Sequence, residues 1–143
     1  MKQVVIDASV VVKAIMPNDK QEQCKILISR FEFLQPVAPA LWMYEITSAF
    51  TKSVHFGLLT ASECRSGIAQ AMSLGVELVA PDEGQTNLAV DWILKLKRAA
   101  SYDSYYLALA ETLGVDFWTA DERLRNALKD TRLAWLRWID DSA

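Results

Sequence analysis

Residues 4–15, VVIDASVVVKAI, pass from a β-branched apolar run into a helical pattern across one aspartate. The first part, QVVID over 3–7, is short and apolar without alternation, which predicts a strand buried on both faces of a parallel sheet. It runs straight into a helical segment that ends near Pro17. In open parallel sheets ligands collect beyond the carboxyl ends of the strands, so Asp7 stands where chemistry is to be sought.

The alternation continues outward from this unit. Cys24, Leu27, Ile28 and Phe31 are spaced as a helix over 20–33, and VAP at 37–39 is a second, very short strand. A helix follows over 40–56 and stops at Gly57. Thr60 and Glu63 begin a capped helix that reaches Leu74, and VELV at 76–79 is a third strand. Helices are predicted over 85–100 and 103–113, a fourth strand over 115–119, a short helix over 121–129, and a fifth strand within LAWLRWI. Alternating strands and helices predict an α/β fold with a mainly parallel central sheet.

A chain of 143 residues suits one domain, here 1–143, and 52% apolar with 23% charged residues excludes a disordered or low-complexity chain. Asp7 and Lys13 interrupt the longest apolar runs well short of the roughly 20 residues a membrane span needs. The N-terminus lacks a signal-peptide pattern, so a cytoplasmic protein is expected. Cys24 and Cys64 stand alone and are expected to be reduced thiols at or near the core. His55 is the only histidine, which removes imidazole-based metal sites and leaves oxygen ligands for any cation. The formal charge of −3 argues against a protein that coats nucleic acid, although basic residues cluster at Lys95, Lys97 and Arg98 and recur from Arg123 to Arg137.

Four acidic residues tend inward. Asp7 and Asp121 each follow a predicted strand, where capping of the next helix is the ordinary alternative. Asp103 heads the stripe of Tyr106, Leu107 and Ala110, with capping again the alternative and Ser101 a competitor for that position. Glu45 lies inside a helix, about 70° from the centre of the face set by Trp42, Ile46, Ala49 and Ser53. Its alternative is a boundary glutamate paired with Lys52 or Lys13. Four carboxylates in one cleft would repel by about 4 kcal/mol per close pair at an effective dielectric near 20, and a divalent cation resolves that repulsion. All-oxygen ligation selects Mg²⁺ or Mn²⁺. Ser9 and Thr119, each two residues from an acid, are placed to supply hydroxyls in the same crevice, with turn and helix-end bonding as the alternative.

The blocks VVIDASVVVKA, APALWMYEITSAF, SYDSYYLALAE and FWTADERL occur in the order and with spacings similar to those of PIN-domain ribonucleases. Across nearly its whole length the chain resembles this family, most closely the VapC-type toxins of toxin-antitoxin pairs. The resemblance implies a three-layer α/β/α sandwich whose acidic pocket is formed by Asp7, Glu45, Asp103 and Asp121 as catalytic residues and metal ligands. Ser9 and Thr119 match the hydroxyl positions that often accompany them. It further implies an endoribonuclease dependent on Mg²⁺ or Mn²⁺, a homodimer, and a cognate antitoxin that holds the toxin inactive.

A phosphatase that phosphorylates Asp7 is disfavoured, because Ser9 stands where that chemistry usually places a second aspartate. A receiver domain lacks its adjacent acids, since Asp7 has no acidic neighbour. A stand-alone RNA-processing PIN nuclease and a non-catalytic PIN-like binding module remain the alternatives. Within the nuclease reading, Leu88, Trp92 and Leu96, with Ala89 and Ile93 beside them, are expected to build part of the homodimer, with burial against the chain's own sheet as the alternative. Trp42 and Tyr44 are candidates for an antitoxin groove, with core packing as the alternative. Lys13, Arg98 and Arg123 flank the acidic motifs and are candidate RNA contacts, and Tyr102 or Tyr105 is placed to stack on a base.

Overall fold

The computed structural model describes residues 1–97 and 102–141. Its elements are β1 (Lys2–Ile6), α1 (Ala8–Ile15), α2 (Gln21–Ser29), β2 (Leu34–Pro39), α3 (Leu41–His55), α4 (Ala61–Met72) and β3 (Glu77–Val79). They continue as α5 (Glu83–Leu96), α6 (Asp103–Leu113), β4 (Phe117–Thr119), α7 (Glu122–Leu128) and β5 (Leu136–Trp138). The strands form one sheet in the order β3-β2-β1-β4-β5, and every neighbouring pair is parallel.

The unbroken apolar run of β1 is explained by its central place, with β2 on one side and β4 on the other. Val5 and Ile6 are fully buried. Helices cover the sheet in two groups: α1 packs with α2, α3 and α4, while α5 packs on α6, which lies against β1 and β2. This is the α/β/α arrangement. Its outer strands are only three residues long, which limits the open backbone that an edge presents.

Local signals in the sequence account for several element ends. Thr60 accepts from the Glu63 amide at 3.1 Å while Glu63 accepts from the Thr60 amide at 2.9 Å, a reciprocal cap that starts α4. Gly114 ends α6 with φ +66°, a conformation costly for residues with a Cβ. On α4, Gly67 lets the helix approach α3 closely, since a Cβ there would lie 2.5 Å from Cε1 of Phe50.

Helix α5 begins at Glu83, two residues earlier than expected, because Asp82 accepts from the Gln85 amide at 2.7 Å. The predicted extension of this helix over 98–100, with Arg98, lies outside the described residues, as does Ser101. The stripe expected to build part of a homodimer is turned inward at Ala89 and Trp92, while Leu88, Ile93 and Leu96 are half-buried. Ala89 and Trp92 are buried, the Trp92 indole donates to Glu111 of α6 at 2.9 Å, and its ring meets Trp135 edge-on. A wide indole with a polar N–H is best accommodated where both apolar contact and an acceptor are available, and α6 supplies both. The apolar surface that α5 does present is Val90 and Leu94. Cys24 and Cys64 are free and buried. Among the described residues no helix is long and apolar enough to cross a membrane.

Candidate active site

From β1 the chain builds outward through β2 and β3, then returns to place β4 on the other side of β1. Beyond the carboxyl ends of β1 and β4 the connections therefore diverge and leave a crevice at the topological switch point. Asp7 follows β1 directly, and Ala120 and Asp121 follow β4.

Asp7 sits at the N-cap position of α1 with extended backbone angles, yet its carboxylate makes no capping hydrogen bond. Instead Oδ2 accepts from the Thr119 hydroxyl at 2.7 Å and the Ser9 hydroxyl at 2.9 Å. Each hydroxyl oxygen also accepts a backbone amide: Thr119 from Asp121 at 3.0 Å, and Ser9 from Ala120 at 3.0 Å. An amide can only donate, so both hydroxyl protons are left to point at Asp7. Burial nevertheless raises the Asp7 pKa to about 6; the two hydroxyls oppose the rise, and the charges of Asp103 and Asp121 add to it.

Glu45 projects from α3, whose buried face carries Trp42, Ile46, Phe50 and Ser53. Its partner is the Tyr106 phenol of α6, which donates to Oε1 at 2.6 Å; neither Lys52 nor Lys13 takes that place. Burial raises the Glu45 pKa to about 7, against the Tyr106 hydrogen bond and with the charges of Asp7, Asp103 and Asp121. Each of the other three acids is thus felt at Glu45. Asp103 is the first residue of α6, with Tyr102 at the cap position. Asp121 does cap its helix: Oδ1 accepts from the amides of Arg123 at 3.0 Å and Leu124 at 3.3 Å. Capping therefore accounts for one oxygen of Asp121 and for none of Asp7.

The four carboxylates interact electrostatically, but among the described residues no three acidic, histidine or cysteine side chains form a closed metal-ligand set. Mg²⁺ keeps several of its waters and binds through one or two carboxylates, so it does not require a closed set of protein ligands. The donor chemistry fits: all groups are oxygens, and Asp7 and Glu45 carry pKa values raised partly by neighbouring negative charge.

Around the pocket, the Lys13 ammonium donates to the Ala120 carbonyl at 2.6 Å, which ties α1 to the end of β4. Arg123 is exposed on the first turn of α7. A groove of about 920 Å³ lies beside Glu45, with Leu41, Tyr44, Lys52 and Tyr102 among its walls. Tyr44 is exposed there, whereas Trp42 is buried on the opposite side of α3, one turn from Ile46, and takes no part in the groove. Tyr102 is exposed and Tyr105 only partly so. Periodicity places Tyr106 on the apolar stripe of α6 and carries no sign of what its hydroxyl meets. The available signal was a tyrosine three residues after Asp103 on a buried face, where a phenol O–H requires a partner.

An all-parallel α/β sheet with coupled carboxylates at its switch point defines an acidic-pocket protein of the α/β/α class. A PIN-domain profile matches residues 4–129, and the chain belongs to the PIN-domain family. A search of curated proteins returned no match. Among solved structures, a Pyrobaculum aerophilum protein aligns with a TM-score of 0.69 and 16% identity over 97% of this chain and 85% of its own. DNA-bound VapBC from Salmonella typhimurium aligns with a TM-score of 0.67 and 15% identity over 96% and 97%. VapC20 of Mycobacterium tuberculosis, described as a sarcin-ricin loop cleaving toxin, gives 0.65 and 12% over 87% and 94%.

Proposed function

We propose that the chain is a metal-dependent endoribonuclease and the cytoplasmic toxin of a toxin-antitoxin pair. The observation that carries this reading is the electrostatic coupling of Glu45 to Asp7, Asp103 and Asp121 at the switch point of a PIN-domain sheet. These four acids are the proposed metal ligands and catalytic residues. They would hold Mg²⁺ or Mn²⁺, which would supply charge neutralisation at a phosphodiester and make a nearby water more acidic.

The chain's own residues hold that pocket in shape. Ser9 and Thr119 fix the orientation of Asp7, and Lys13 fixes the loop that carries Asp121 through the Ala120 carbonyl. Neither hydroxyl suits a nucleophilic role, because Thr119 is fully buried and the Ser9 oxygen already accepts an amide. Water is the proposed nucleophile. Arg123, with Arg98 and the charge of Lys13, is the proposed guide for the RNA backbone.

An antitoxin segment is the proposed inhibitor. The groove beside Glu45 joins apolar walls to an acid that an arginine or lysine can pair with. A homodimer belongs to the same reading, with exposed Val90 and Leu94 on α5 as its apolar contact; sedimentation showing only monomer at micromolar concentration rejects it.

The test of the function is cleavage of single-stranded RNA with Mg²⁺, with Mn²⁺ and with chelator. Cleavage that needs the cation and disappears in Glu45→Gln is expected. Cleavage unaffected by chelator overturns metal dependence, and RNA binding without turnover favours the non-catalytic module. Inhibition by the product of an adjacent small gene separates a toxin from a stand-alone processing nuclease.

A further inference from the structure

The Tyr106 phenol is fully buried, stacked on Phe117 with ring centroids 5.5 Å apart and planes 19° from parallel. Its oxygen accepts the Ala8 amide at 3.4 Å and its proton goes to Oε1 of Glu45 at 2.6 Å. The phenol thus joins the start of α1, the body of α3 and the first turn of α6. The amide at Ala8 has no alternative to donating, so the phenol proton is free for Glu45. The short contact and the stacked ring allow the carboxylate little rotation.

We propose that Tyr106 is a positioning residue that sets which divalent cation the acidic pocket accepts, by committing one oxygen of Glu45 and leaving the other for the metal. This rests on the metal-nuclease reading of the site. Calcium takes six to eight oxygens and readily uses a carboxylate through both of them, whereas Mg²⁺ and Mn²⁺ favour a compact set in which a carboxylate gives one. A glutamate with one oxygen held by a phenol suits the smaller ions. Outer partners that orient a ligand are commonly worth roughly tenfold or more in metal affinity.

The test is direct binding of Mn²⁺ by electron paramagnetic resonance, alone and in competition with Ca²⁺, on the full chain and its Tyr106→Phe variant. Phenylalanine keeps the stacked ring and removes only the hydroxyl. A roughly tenfold loss of Mn²⁺ affinity with a shift of the Ca²⁺/Mn²⁺ ratio toward Ca²⁺ is expected. The same pair of measurements in a Glu45→Gln background separates positioning from general loosening of the fold. There, removing the phenol hydroxyl is expected to change affinity little, since the carboxylate it orients is gone. Equal losses in both backgrounds, or an unchanged Ca²⁺/Mn²⁺ ratio, overturn the proposal. Wild-type protein that binds no Mn²⁺ overturns the metal reading itself, an outcome distinct from wild-type binding that the variant leaves unaltered.

Discussion

Thr119 donates its hydroxyl to Asp7 at 2.7 Å across the seam between β4 and β1, joining residues 112 positions apart. The bond is fully buried at Thr119, and the same oxygen receives the Asp121 amide at 3.0 Å. One side chain therefore orients two of the four acids, one through its carboxylate and the other through its backbone.

Replacing Thr119 by valine keeps the shape and removes both bonds. The Asp121 amide loses its acceptor and Asp7 loses its nearer donor, so a loss of about 1–3 kcal/mol is expected in urea unfolding, accompanied by lower cleavage activity. Unchanged stability in Thr119→Val would show that these bonds are not needed to hold the seam.

Stability of the metal-free protein is expected to fall as pH rises. Asp7 is raised from 3.8 to about 6 and Glu45 from 4.5 to about 7, so over that window the folded state binds more protons than the unfolded one. The slope of unfolding free energy with pH is then negative, and the contribution present at low pH disappears through about pH 7. For Asp7 it is on the order of 1–3 kcal/mol. Thermal melts in chelator between pH 5 and 8 check this; Asp7→Asn is expected to flatten the decline, and Mn²⁺ to offset it.

Asp121 offers a separation of cap from charge. Asparagine caps helices about as well as aspartate, so Asp121→Asn is expected to unfold within a few tenths of a kcal/mol of wild type while activity drops. Alanine removes both roles and is expected to cost about 1 kcal/mol in addition. Full RNase activity in the asparagine variant would take Asp121 out of the catalytic set.

Gly67→Ala places a methyl 2.5 Å from the Phe50 ring, between α3 and α4. Overpacking of this kind typically costs about 1–3 kcal/mol. Because the contact is away from the acidic pocket, chemical denaturation should register the change and Mn²⁺ affinity at low temperature should not.

RNA affinity of a catalytically blocked Asp103→Asn protein is expected to fall with salt. Alanine at Arg123 is expected to reduce the salt slope by about 1 if the side chain meets a phosphate. The double variant with Arg98→Ala should reduce it further; an unaltered slope in that protein removes both residues from the RNA surface.

Much of the framework was legible locally. The apolar run of β1, the reciprocal cap at Thr60, the bounds of α6 and the glycine that ends it all depend on neighbours within a few residues, where propensity and periodicity act. The inward tilt of Glu45 followed from the same periodicity, since Trp42, Ile46 and Ser53 fix the buried side of α3. The identities and order of the acids were also plain in the sequence. Which polar groups meet was not. Position alone left Asp7 open to a pocket role or to capping α1, and only the placement of β4 beside β1 turned its carboxylate to Thr119. Trp92 lay on an amphipathic stripe that suits either a partner or the chain's own core, and Glu111 decided for the core. The bond from Tyr106 to Glu45 spans 61 residues between helices whose relative placement depends on the packed sheet. Helical and strand patterns report which face a residue occupies because they arise from the local backbone repeat. The partner a buried oxygen or indole finds depends on which distant element the tertiary fold brings to that face, and that was decided only when the sheet order was set.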